Sequence, residues 1–282
     1  MSDSTTHYYV PENSKWPIYT ALSLLALVSG FICLFNELRG GFVIFAIGFA
    51  FLAYCMIGWW RDVARESEGG RYQAWEDMSF RWGMGWFIFS EVMFFAAFFG
   101  VLFYARVISV PDLGGAHSKI IWPAFNAVWP TAGPHFPVDF STIPAFDVPL
   151  VNTIILLTSG VTVTWAHWAL KLDNRRHLVI GLALTVLLGV LFLSFQVQEY
   201  IHAYQDLNLR LDSGIYGSTF FMLTGFHGLH VTIGTIGLLV ILGRSMAGHF
   251  KPEHHFGFEA VAWYWHFVDV VWLFLFVVVY WL

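Results

Sequence analysis

The amino-acid sequence predicts an all-α membrane protein with seven transmembrane helices, and two observations carry that prediction. The residue classes do not suit a water-facing surface: hydrophobic residues make up 57% of the 282 and charged residues only 12%, where soluble domains hold about 45–50% and about 25%. The apolar residues also gather into seven stretches of about the length that crosses a hydrocarbon core, at about 17–36, 42–60, 80–106, 150–170, 178–202, 215–243 and 257–281. Lipid offers no partner to backbone N–H and C=O groups, so each stretch must bond internally as a helix. The same composition excludes a soluble enzyme and a disordered tail. A net charge of −5, with 14 Lys and Arg set among 19 Asp and Glu, leaves no basic footprint for nucleic acid.

The elements follow in order. The first stretch is preceded by Asp3 and Glu12 against Lys15 alone and is too long for the core of a signal peptide, so it is a retained span. The second ends in Trp59-Trp60-Arg61, an aromatic and basic pair suited to a membrane interface. A polar connection at 61–79 then separates the first two helices from the other five and lets the two groups splay apart. The chain is therefore one domain, 1–282, with residues 1–79 forming the N-terminal tail and helices one and two, and 80–282 forming helices three to seven.

After the third span, the connection 107–149 holds Pro111, Pro123, Pro130, Pro134, Pro137, Pro144 and Pro149 among Trp122, Phe125, Trp129, Phe136, Phe140 and Phe146. So many prolines forbid a long helix, and aromatics at this density favour an ordered lid on the membrane surface or a partner. Small residues four apart, Ala96 with Gly100 and Gly181 with Thr185 and Gly189, offer close helix contacts. No pair of broken helices recurs in two halves, which argues against a transporter using Glu91 as a proton relay. With the N-terminus cytoplasmic, Lys15, Arg61, Arg65, Arg71, Arg81, Lys171, Arg175, Arg176, Arg244 and Lys251 lie inside and only Arg39, Arg106, Lys119 and Arg210 outside. The bias sets that orientation and puts the C-terminus on the opposite side.

Ionisable groups within lipid are costly, so each is a functional candidate. Glu91 sits near the middle of span three with no basic neighbour in the same span, either as a proton relay, as a polar lipid anchor or as a structural hydrogen-bond partner of another helix. His227 and His230 share a helix face, which points to hydrogen bonds within the bundle. Glu199 and His202 form one Glu-x-x-His pair; a di-iron bundle needs a second copy and two further glutamates. Glu259, Trp263 and His266 make one polar stripe on span seven, and Asp269 near mid-depth calls for a donor on another helix. Arg244, His249, Lys251, His254 and His255 form a cluster at the cytoplasmic interface that attracts anionic headgroups. Cys33 and Cys55 lie in apolar runs and suggest neither a disulfide nor a zinc site. No metal site and no catalytic residue are expected in the chain.

Several motifs together are similar to those of the cytochrome c oxidase subunit III family of the haem-copper oxidases. They are Trp59-Trp60-Arg61-Asp62-Val63-Ala64-Arg65-Glu66, Ser90-Glu91-Val92-Met93-Phe94-Phe95, Ser159 through His167, Tyr216 through Phe221 continuing to Gly225-Phe226-His227-Gly228-Leu229-His230-Val231, and His254 through Phe276. The resemblance covers the chain from about residue 59 onward. It implies a seven-helix accessory subunit on the side of subunit I, with subunit II in the same complex, helices one and two set apart from helices three to seven by a cleft that holds phospholipids, and haem and copper confined to subunits I and II. It also implies that the subunit sustains proton uptake by subunit I, protects the enzyme during turnover and guides oxygen inward.

By motif, Trp59, Trp60 and Arg65 match lipid contacts of the cleft, Glu91 the family's buried carboxylate, and Arg244 with His249 a headgroup-binding pair. The long 107–149 loop resembles the bacterial aa3-type branch, which implies a bacterial inner membrane, with the mitochondrial inner membrane the alternative, while 67–80 lacks a histidine pair of some relatives. A quinol oxidase subunit III shares the fold and is the alternative.

Overall fold

The computed structural model describes residues 13–134 and 139–282. Asp3 and Glu12 of the tail, and Phe136 and Pro137 of the long loop, lie outside the described residues. Among the described residues seven helices are long and apolar enough to cross a membrane. They are α1 (Trp16–Phe35), α2 (Gly41–Glu68), α3 (Ala74–Phe103), α4 (Val148–Lys171), α5 (Arg175–Gln205), α6 (Gly214–Ala247) and α7 (Phe256–Leu275). A π-helical stretch, Tyr104–Ser109, prolongs α3 into the turn Val110–Leu113, and a second, Phe276–Trp281, prolongs α7.

The seven predicted stretches are all helices, and the boundaries differ where charge begins. Helix α2 runs eight residues past Trp60, and α3 starts at Ala74, so most of the connection 61–79 is helical. Its sequence explains this: Arg61, Asp62, Glu66 and Glu68 are polar, yet no proline or glycine interrupts them before Gly69 and Gly70. A helix leaving lipid needs only water to satisfy its charges. Between Val110 and Asp147 the prolines act as expected: among the described residues only the short helical turns Val110–Leu113 and Ser118–Ile121 form.

The chain divides into two compact units, Met1–Phe80 and Arg81–Leu282. In the first, α1 and α2 form an antiparallel pair joined at Gly40, whose φ of 88° is open to glycine at little steric cost. Gly30 and Gly48 bring the two backbones together: a Cβ at Gly30 would meet the backbone of Phe45, and one at Gly48 the backbone of Leu27. The indole of Trp16 donates to Asp62 Oδ2 at 2.7 Å and closes the far end of the pair.

In the second unit, α4 to α7 enclose a core in which Trp265 and Trp272 are fully buried. Each indole N–H finds a hydroxyl on α4: Trp265 donates to Ser159 Oγ at 2.8 Å, and Trp272 to Thr153 Oγ1 at 2.9 Å. Gly181, Thr185 and Gly189 make the close contact their spacing predicts. Thr185 bonds Thr162 at 2.8 Å, and a Cβ on Gly189 would lie 2.9 Å from Trp265. Ala96 and Gly100 do not: nothing lies within 4 Å of a Cβ at Gly100, so that face of α3 is uncovered.

Several residues of the long loop pack against the helices. Ala132 accepts a hydrogen bond from the N–H of Ile215 at 3.1 Å, Phe140 stacks on Tyr216 with ring centroids 5.3 Å apart, and Ile143 and Ala145 are buried.

Candidate functional site

The helices bring several of the ionisable side chains inside this apolar bundle into four groups. In the first, α3 supplies Glu91 and α6 supplies His230. His230 Nε2 lies 2.9 Å from Glu91 Oε2, and its Nδ1 lies 2.6 Å from the carbonyl oxygen of Phe226 one turn earlier. Aromatic rings surround the imidazole: Phe95 at 5.0 Å, Phe94 at 5.9 Å and Tyr264 stacked at 6.3 Å. Glu91 is thus anchored to another helix. His227, by contrast, is wholly buried between Phe192 and Trp272, and neither ring nitrogen has a hydrogen-bond partner among the described residues. The expectation of hydrogen bonds for both histidines holds for His230 alone. One turn of helix carries His230 toward α3 and leaves His227 facing the tryptophan core.

The second group lies where α4 ends and α7 begins. Glu259 Oε2 accepts two hydrogen bonds from Arg81 of α3, from Nε at 3.0 Å and Nη2 at 2.8 Å. Its Oε1 lies 3.2 Å from His255 Nε2 and 3.7 Å from His167 Nε2. The i, i+4 spacing of His255 and Glu259 sets both on one face of α7, and His167 comes from the last turn of α4. This corrects the reading of His255 as one of the headgroup-facing residues. It is buried at the cap of α7 and turns inward, while His249, Lys251 and His254 stay exposed.

The third group is centred on Glu199, which is 2% exposed. Tyr280 donates its hydroxyl to Glu199 Oε1 at 2.6 Å, and Gln196 Nε2 lies 3.4 Å from the same oxygen. His202 points the other way to an exposed Asp206, 2.7 Å away. The Glu-x-x-His pair therefore shares no site. In the fourth group, Asp269 Oδ2 is 3.6 Å from His266 Nδ1 of its own helix, and its Oδ1 has no partner among the described residues. The donor that the sequence calls for on another helix does not reach it. What α4 supplies instead is Gly160, where a Cβ would meet Asp269 Oδ2. His266 Nε2 in turn lies 3.2 Å from Thr164 Oγ1.

Of the residues expected to touch lipid, Trp59, Trp60, Arg65 and His249 are exposed, Arg244 is half-buried, and Glu91 is turned to His230. The guanidinium of Arg244 sits 4.6 Å from the centre of the Phe250 ring, and His249 beside it is exposed. In the first unit Trp59 and Trp60 are 46% and 58% exposed, and Arg65 is exposed with Asp62 at 3.9 Å. Sequence reasoning missed Arg81, His167 and Tyr280. Each is an ordinary residue at a span end whose partner lies far away along the chain; His167 stands out in the sequence only as part of a motif.

These features can be set beside known proteins. The profile of the family described as cytochrome c oxidase subunit III matches residues 6–282. Cytochrome c oxidase subunit 3 of Osphranter robustus is 43% identical over 271 residues, covering 96% of this chain and 95% of its own. That of Rattus norvegicus is 42% identical over 274 residues, with 96% and 95% covered, and that of Prototheca wickerhamii 43% over 267 residues, with 93% and 92% covered. The seven apolar helices and a match over nearly the whole chain lead to one conclusion: this is a multi-pass membrane protein that belongs to the cytochrome c oxidase subunit III family, and so a component of a terminal oxidase complex.

Proposed function

We propose that the chain is a non-catalytic subunit of a proton-pumping terminal oxidase that reduces oxygen to water. In this reading it binds structural phospholipids, sustains proton uptake by subunit I and protects the enzyme against inactivation during turnover. The match to subunit III over residues 6–282 carries the reading. Its site chemistry agrees: His230 is engaged by Glu91 and by a backbone carbonyl, His202 by Asp206, and Glu199 by Tyr280, so these side chains serve helix contacts and surface pairs rather than a haem or a copper centre. Haem and copper then belong to subunits I and II, with subunit I the main contact.

Lipid binding rests on two surface groups. Arg244, braced on Phe250 and flanked by exposed His249, presents a guanidinium that can grip a phosphate through two hydrogen bonds. Trp59, Trp60 and Arg65 offer aromatic rings and a cation at the end of a span, the combination that settles at a headgroup layer. The Lys and Arg distribution supports an N-terminus on the cytoplasmic side, and the long 107–149 loop supports a bacterial inner membrane over a mitochondrial one.

The test is a visible spectrum and a haem and copper analysis of the complex that co-purifies with the tagged chain, repeated after the chain is stripped away. Haem and copper that stay with the remaining subunits support the reading; haem or copper that leaves with this chain overturns it. A copper A signal in the same spectra identifies cytochrome c as the electron donor, and its lack a quinol oxidase.

A further inference from the structure

We propose that His167, His255 and Glu259 form a binding site for one divalent transition-metal cation, with zinc the best fit. Three electron-pair donors converge there: His167 Nε2 and His255 Nε2 are 3.2 Å apart, His255 Nε2 and Glu259 Oε1 3.2 Å, and His167 Nε2 and Glu259 Oε1 3.7 Å. Zinc with bonds of about 2.0–2.1 Å to nitrogen and oxygen, in a tetrahedron, holds its ligand atoms about 3.3–3.5 Å apart. The three separations bracket that edge without any side chain moving.

The surroundings fix which atoms face the centre. His255 Nδ1 lies 3.2 Å from the carbonyl oxygen of Lys251, which can only accept, so the proton of a neutral ring sits on Nδ1 and Nε2 is left as a bare lone pair. Arg81 places two hydrogen bonds on Glu259 Oε2, while Oε1 faces the histidines. A carbonyl behind a histidine and a guanidinium behind a carboxylate are the outer partners that orient metal ligands. A proton shared among the three donors bridges one pair at a time, whereas a cation satisfies all three together. Two imidazoles and one carboxylate suit zinc over magnesium or calcium, which prefer all-oxygen shells. Side-chain exposures of 7% for His255, 13% for Glu259 and 20% for His167 keep the three donors largely shielded from solvent, and a fourth ligand to complete the tetrahedron would be a water.

Such an ion would tie the end of α4 to the start of α7 and, through Arg81, to α3. Sequence reasoning could not find it, because 88 residues separate His167 from His255.

The experiment uses the whole oxidase complex, stripped with a chelator and titrated with zinc chloride. Bound zinc is counted by mass spectrometry, and its position is read from anomalous scattering at the zinc edge in crystals of the unaltered complex. The expected result is an anomalous peak within about 2.0–2.3 Å of the three ligand atoms, and one zinc equivalent whose affinity falls at least about tenfold in His167→Asn and again in Glu259→Gln. A triad with no anomalous peak at saturating zinc, or variants that keep the full zinc count and affinity, would overturn the proposal. The crystal measurement needs no variant, so it decides the matter even where a variant fails to assemble.

Discussion

Glu91 of α3 and His230 of α6 meet through a single contact, Oε2 to Nε2 at 2.9 Å, and the opposite nitrogen of the imidazole is already committed to the carbonyl of Phe226. A neutral ring with its proton on Nδ1 has only a lone pair to offer Glu91, so the contact requires one further proton, carried on the carboxyl or on the imidazole. The pair is thus a proton-holding link between two helices, within a ring of phenylalanines. Glu91→Gln keeps a donor facing His230 and should preserve the contact. Glu91→Ala removes it and should lower the stability of the complex by about 1–2 kcal/mol, read as an earlier thermal transition. If Glu91 serves lipid or proton supply and no redox centre, Glu91→Ala should also leave the haem spectra unchanged while shortening the active lifetime under turnover. Altered haem absorbance would contradict this.

Gly160 and Asp269 are coupled by space. The carboxylate of Asp269 occupies the volume that a side chain at position 160 would need. Gly160→Ala should therefore destabilise by about 1–3 kcal/mol, and Asp269→Ala in the same chain should recover part of that loss, since it removes the obstructing atoms. The expected double-mutant coupling is about 1 kcal/mol or more, measured by denaturation of the complex in detergent. Additive effects would mean that the two residues do not touch.

The buried carboxyl of Glu199 depends on Tyr280. Its Oε1 receives the tyrosine hydroxyl at 2.6 Å, and its Oε2 has no partner among the described residues. Tyr280→Phe leaves the ring packing nearly intact but strips the short hydrogen bond from a group sealed away from water, so a loss of about 1–3 kcal/mol is expected. Adding Glu199→Leu should offset much of that loss, because replacing both partners removes the stranded polar group. A double variant worse than Tyr280→Phe alone would show that Glu199 has a further role.

The seven spans were legible because hydropathy over some twenty residues has few other causes. Their ends were less so: Arg61 to Glu68 carry no apolar signal, yet the helix continues through them. Glu91 stood out as a lone charge in lipid, but its partner is 139 residues away, and no local pattern announces such a pairing. Spacing alone does not make Glu199 and His202 a site, and they point apart; proximity in sequence misled for His255, whose position at a helix cap turns it inward from its basic neighbours. The small-residue stripe on α5 was readable, while the same spacing at Ala96 and Gly100 faces open space, because spacing fixes a helix face and not what lies against it.

Arg244 provides a test of lipid binding with a readout distinct from stability. Its guanidinium lies 4.6 Å from the centre of the buried Phe250 ring, a cation–π contact that fixes its position. Arg244→Ala should lower the number of anionic phospholipids that stay with the purified complex, counted by native mass spectrometry, and Arg244→Lys should restore the charge but not the two-pronged grip. An unchanged lipid count in Arg244→Ala would count against a headgroup role.

Helices α1 and α2 touch backbone to backbone at Gly30 and Gly48, where neither helix has room for a methyl group. Substitution there cannot be absorbed by rotating a side chain, because the obstructing atoms belong to the main chain of Phe45 and Leu27. Gly48→Val must therefore push the helices apart, at a cost of about 1–3 kcal/mol or more, and loosen the bond between Trp16 and Asp62 at the far end of the pair. The separation is measurable as increased protease cleavage or spin-label distance between α1 and α2 in the purified complex. At Gly83, where nothing lies within 4 Å of a Cβ, the alanine variant should leave the same readouts unmoved, so a loss specific to Gly48 would trace to the backbone contact rather than to glycine replacement in general.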